Sequence, residues 1–89
     1  MNIQLLPLQI HGDSRGSLIS LEDHKNVPFD IRRIYYMFGT QEGVSRGYHA
    51  HKALRQMVIA VRGSCQFVLD DGRERVALTL NNPAQGLVV

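Results

Sequence analysis

Turn-forming residues interrupt this 89-residue chain at short intervals, and that spacing is the strongest constraint on its fold. Clusters of Gly, Asp, Asn and Pro stand at His11–Gly16, Gly39–Gly47, Arg62–Ser64, Asp70–Arg73 and Asn81–Gly86. The runs between them are rich in β-branched and aromatic residues. No stretch carries a convincing 3.6-residue apolar period. The expectation is an all-β fold, a sandwich or barrel of short strands.

Taken in order, Ile3 to Ile10 reads as an edge strand or extended arm, because Pro7 cannot donate to a ladder. Ser17 to Leu21 is a short alternating strand, and Glu22 to Pro28 is a polar loop. Asp30 to Phe38 (DIRRIYYMF) is the most strand-like run. Side chains alternate across a strand, so Arg33, Tyr35 and Met37 share one face and Ile34, Tyr36 and Phe38 the other. The second set is apolar and aromatic and is expected to face a core. The first, with a guanidinium and a phenol, could line a pocket. Gln56 to Val61 is expected to be a buried strand. Cys65–Leu69 and Arg75–Leu80 are expected to pair across an Asp-Gly type hairpin. Leu87–Val89 begins one more strand.

Size allows one small domain, taken as residues 1–89, with a thin core unless a partner completes it. The net charge is +2 and the basic residues are scattered, so no nucleic-acid stripe is present. Cys65 is the single cysteine, which excludes an intramolecular disulfide; among apolar neighbours it reads as a buried core residue. No apolar run is long enough to span a membrane, and the first ten residues lack a basic n-region and a cleavage site. A cytoplasmic setting is expected.

Chemistry concentrates in Gly43–Gly63, around His49-Ala50-His51. In a strand both imidazoles project from one face. Such a pair can hold a metal or move protons near neutral pH. Gly43, five residues, His49-x-His51, four residues, Gln56, six residues and Gly63 resemble the first cupin signature, with glutamine in place of its usual glutamate. Asp13-Ser14-Arg15-Gly16-Ser17-Leu18, Val27-Pro28-Phe29, Arg33-Ile34-Tyr35-Tyr36, Arg46-Gly47-Tyr48-His49-Ala50-His51-Lys52 and Leu69-Asp70-Asp71-Gly72 extend the likeness. Together they resemble the sugar-nucleotide 3,4-ketoisomerases, the WxcM-like cupins.

That resemblance implies a cupin-type jelly roll, incomplete here at the C-terminus, because the family's second motif would follow Val89. It implies movement of a carbonyl from C4 to C3 of a dTDP-linked 4-keto-6-deoxyhexose for deoxyamino-sugar synthesis. It also implies no metal or cofactor, and a homodimer that exchanges N-terminal strands. By the same likeness Arg15 lies near the sugar and bears on the C4 epimer of the product.

The residue chemistry suits these roles. His51 is the candidate base, with His49 orienting it or relaying the proton. Tyr35 could donate to a developing oxyanion. Arg33 and Arg46 offer guanidinium forks for a diphosphate. Three alternatives stay open: an inactive remnant, a module that binds a dTDP-sugar without turnover, and a small metal cupin. The last is disfavoured by neutral Gln56 and the lack of a third histidine at ligand spacing.

Overall fold

The computed structural model describes residues 2–43 and 55–89. Every regular element among them is a strand. These are β1 (Gln4–Pro7), β2 (His11–Asp13), β3 (Gly16–Leu18), β4 (Met57–Val58), β5 (Cys65–Asp70), β6 (Arg75–Leu80) and β7 (Gln85–Val88). The all-β expectation holds. All strand pairings are antiparallel, in a three-stranded sheet β1-β7-β4 and two hairpins, β2-β3 and β5-β6.

The shortest run in the sequence reading, Leu87–Val89, proves to belong to the centre of the larger sheet. β7 pairs Gln4 with Val88 through Pro7 with Gln85 on one side, and Met57 with Val88 and Val58 with Leu87 on the other. The ladders run slightly past the named strands: Leu8 N–H donates to the Ala84 carbonyl at 2.8 Å, and Val89 N–H to the Gln56 carbonyl at 3.0 Å. Pro7 closes the β1 ladder on the outer edge, as its missing N–H requires.

The β5-β6 hairpin forms where expected, with Phe67 opposite Leu78 and Leu69 opposite Val76. Its loop is fixed by two aspartates. Asp70 Oδ1 accepts the Gly72 N–H, and Asp71 Oδ1 accepts those of Arg73 and Glu74, at 2.8, 2.8 and 2.9 Å. Alternation then turns Phe67, Leu69, Leu78 and Leu80 to one face. They meet Ala60 and Leu87 from the sheet side, and this cluster is the main core. Leu80 and Leu87 are fully buried.

Five expectations are corrected. Asp30–Phe38 forms no strand. Strand propensity describes how side chains suit a pleated surface, but a ladder also needs a neighbour, and none pairs with this segment among the described residues. The face expected to be buried is open: Ile34, Tyr36 and Phe38 are 81%, 82% and 86% exposed, against 61% for Tyr35 and 48% for Met37. Alternation survives, since the Tyr36 and Phe38 rings lie on one side with centroids 6.2 Å apart.

Gln56–Val61 narrows to two strand residues, because the Gln85 N–H of its neighbour turns to the Asn82 carbonyl at 3.2 Å. The His11–Gly16 turn is itself a hairpin with only Ser14 and Arg15 between its strands. Cys65 is exposed, not buried. It opens β5 beside the exposed turn at 62–64, past the edge of the cluster that shields its cross-strand partner Leu80.

Candidate active site

Three of the six residues singled out by sequence lie among those described: Arg15, Arg33 and Tyr35. His49, His51 and Arg46 lie outside the described residues, as does the expected His-x-His strand.

Arg15 sits at the tip of the β2-β3 hairpin. Gly16 follows it with φ +140°, a conformation that L side chains rarely adopt and that closes this tight connection. Asp13, at the other end of the turn, organises the tip. Its Oδ1 accepts the Arg15 backbone N–H at 2.8 Å, and its carboxylate takes Arg15 Nε at 3.1 and 3.2 Å and Nη2 at 2.5 Å. The hydrogen bonds from the Arg15 side chain hold the Asp13 carboxyl below its ordinary range, and the carboxylate in turn raises the guanidinium. Arg15 remains charged and solvent-facing, with its fork held over the turn. An open depression of about 560 Å³ runs along this hairpin, bounded by His11, Arg15, Ser17 and Leu18. Sequence reasoning missed Asp13, although an aspartate two residues before an arginine in a glycine turn is its visible signal.

Arg33 and Tyr35 lie on the unpaired segment, both exposed. They share the parity expected of them. No hydrogen bond or ion pair joins either to Arg15 among the described residues.

The segment begins at a well-held corner. Val27 is 2% exposed and forms a bridge with Asp23, while Asn26 spans the loop, accepting the Glu22 N–H at 2.8 Å and donating to the Ser20 carbonyl at 2.7 Å. Arg55, from the far side of the histidine motif, donates to the Pro28 carbonyl at 2.9 Å and lies 5.4 Å from the Phe29 ring centroid. No local pattern announces a contact between residues 27 positions apart.

His24, at φ +60°, contacts the Asp30 carboxylate through Nε2, and that hydrogen bond holds the Asp30 carboxyl below its ordinary range. Asp23, His24 and Asp30 could each offer one ligand atom to a cation, these atoms lying within 4.8 Å of one another. All three are exposed, and exposed acidic groups are common without an ion. His24 is exposed but paired.

The description "FdtA: WxcM-like, C-terminal" matches residues 1–89 of this sequence. The chain belongs to the WxcM-like, C-terminal family. A relative in Aneurinibacillus thermoaerophilus, TDP-4-oxo-6-deoxy-alpha-D-glucose-3,4-oxoisomerase, is 51% identical over 77 residues, which are 86% of this chain and 55% of that one. A crystal structure of a 3,4-ketoisomerase from Helicobacter canadensis is 46% identical with a TM-score of 0.94, over the whole of this chain and 67% of that one. A mutant 3,4-ketoisomerase from Thermoanaerobacterium thermosaccharolyticum, in complex with TDP-4-keto-6-deoxyglucose, is 34% identical with a TM-score of 0.92, over 99% of this chain and 64% of that one. This WxcM-like chain thus spans about half the length of its curated relative and two thirds of the solved ones. The cupin-type β fold is that of these ketoisomerases, present here in part.

Proposed function

We propose that this WxcM-like chain supplies the 3,4-ketoisomerase chemistry of its relatives. It acts on a dTDP-linked 4-keto-6-deoxyhexose and moves the carbonyl from C4 to C3. The observation that carries this reading is the match to a 3,4-ketoisomerase over the full chain, at 46% identity and a TM-score of 0.94. At that likeness the fold is shared.

In this reading His51 removes the proton at C3. The C3–H electron pair forms the C3=C4 double bond, and the C4 oxygen becomes an enolate. Tyr35 donates to that oxygen and stabilises the charge as it develops. Loss of the C3 hydroxyl proton, delivery of one proton to C4 and delivery of a second to the C4 oxygen complete the shift, with no net gain or loss of atoms. His49 relays or orients. Arg33 and Arg46 hold the diphosphate, and Arg15, kept cationic over its turn by Asp13, faces the sugar.

The partner is a second copy of this chain. Ile34, Tyr36 and Phe38 form an apolar row that an isolated chain leaves in water. Exchange of N-terminal strands would replace the β1 ladder within one chain by the same ladder between two. The setting is cytoplasmic, with Cys65 a free thiol.

Incubation with dTDP-4-keto-6-deoxyglucose, followed by NMR, tests the function. Appearance of the 3-keto product is expected. Retained dTDP binding with no turnover would instead identify a binding module. Sedimentation should give a dimer that Ile34→Lys dissociates.

A further inference from the structure

Arg55 is not among the residues named in the motifs that carry the family likeness, although Pro28 and Phe29, which it contacts, are. It nevertheless joins the two stretches that bear the chemistry. Arg55 follows His51 by four positions, and Phe29 precedes Arg33 by four. We propose that Arg55 is a positioning residue, fixing the start of segment 30–38 and thereby the placement of Arg33 and Tyr35. This rests on the ketoisomerase reading.

The segment needs such an anchor. Among the described residues, 31–38 makes no strand pairing, so its course depends on how it leaves residue 30. The corner before it is held at each step. Val27 is buried, the Pro28 carbonyl accepts from Arg55 Nη1, the Phe29 ring lies under the guanidinium, and Asp30 is held by His24. The first and fourth of these steps fix backbone or a local loop. The Arg55 contacts differ in reaching across the chain.

The residue type fits both jobs. Pro28 has a locked φ and no N–H, so its carbonyl is the backbone group it can offer. A planar guanidinium can donate in its own plane while its face lies against an aromatic ring. A lysine could reach the carbonyl but would lack the planar face.

The test compares Arg55→Ala, Arg55→Lys, Phe29→Leu and the Arg55→Ala/Phe29→Leu double variant, in full-length chain. Steady-state kinetics with dTDP-4-keto-6-deoxyglucose, dTDP affinity and thermal midpoints are read for each. Small displacements of reacting groups are costly, so Arg55→Ala is expected to lower kcat by about tenfold. KM and dTDP affinity should stay unchanged, and Arg55→Lys should recover part of the loss. The double variant should be no worse than Arg55→Ala, because one contact is removed in both.

Parent-like kcat in Arg55→Ala overturns the positioning role, even if the midpoints are coupled. Independent, multiplying effects of the two single variants overturn the tether itself. An inactive parent whose Arg55 and Phe29 variants still couple in the midpoints overturns the ketoisomerase reading and leaves the tether standing.

Discussion

Gly86 and Met57 pack so closely across the β4-β7 ladder that a β-carbon on residue 86 would lie 2.9 Å from the Met57 sulfur. The same atom would meet Met57 Cε at 3.1 Å and Cγ at 3.2 Å. Gly86 is buried, and Leu6 pairs with it from the other side. Gly86→Ala must therefore push the Met57 side chain out of its place. Overpacking of this kind costs about 1–3 kcal/mol. A lower urea midpoint is expected, and Met57→Ala should absorb much of the effect, giving a double variant milder than the sum of the two.

Leu80 and Leu87 are both 0% exposed and belong to one cluster, although they come from the hairpin and the sheet. Truncating either to alanine removes buried methyl groups and leaves a cavity, at a cost of about 2–5 kcal/mol. In a domain this small such a loss is a large share of total stability. Val68→Ala, on the outward face of the same hairpin, should shift the midpoint far less. Equal losses at positions 68 and 80 would mean that the hairpin does not cover the sheet.

Three exposed carboxylates respond to acid. Asp13, Asp30 and Asp71 are held below the ordinary carboxylate value of 3.8, first by the Arg15 side chain, the His24 side chain and the Glu74 backbone N–H respectively. A carboxylate with a depressed folded-state pKa adds stability above its unfolded value and loses it as pH falls through the folded one. The thermal midpoint should thus hold near neutrality and fall below pH 3.8. Asp13→Asn and Asp71→Asn should each flatten that acid slope, most clearly at low salt, where exposed charges are least screened.

Turnover divides the candidate residues by role. His51→Asn should remove the proposed base and lower kcat by about a hundred- to ten-thousand-fold while dTDP still binds. Tyr35→Phe, which keeps the ring and loses the phenolic hydrogen, should reduce kcat with KM held. Arg33→Ala should instead weaken dTDP binding. A Tyr35→Phe variant with parent kcat would remove Tyr35 from the reaction.

The parts of the fold legible in the sequence are those set by local chemistry. The β5-β6 hairpin was readable because aspartates and a glycine fix its loop and alternation fixes its faces. The Arg15 turn was readable as a turn for the same reason, though not as a hairpin with Asp13 closing on Arg15. What escaped depends on neighbours distant in sequence. Nothing within Gln85–Val88 distinguishes a central strand from an edge. Nothing within Asp30–Phe38 reveals that its ladder partner is lacking among the described residues. The Arg55–Phe29 contact has the same origin: each residue is ordinary alone, and only folding brings them together.

The position of β7 has a consequence for how the chain acquires its shape. Residues 4–7 and 57–58 share a sheet only through residues 85–88. Gln4 meets a partner 84 positions away, at Val88. The β5-β6 hairpin, by contrast, closes within a short loop and can form as soon as residue 80 is available. Long closures are slow. During synthesis the hairpin should therefore stand formed while β1 and β4 still wait, their edges open to other strands until residue 88 emerges. The interval before those four residues arrive is when aggregation and chaperone capture compete with folding.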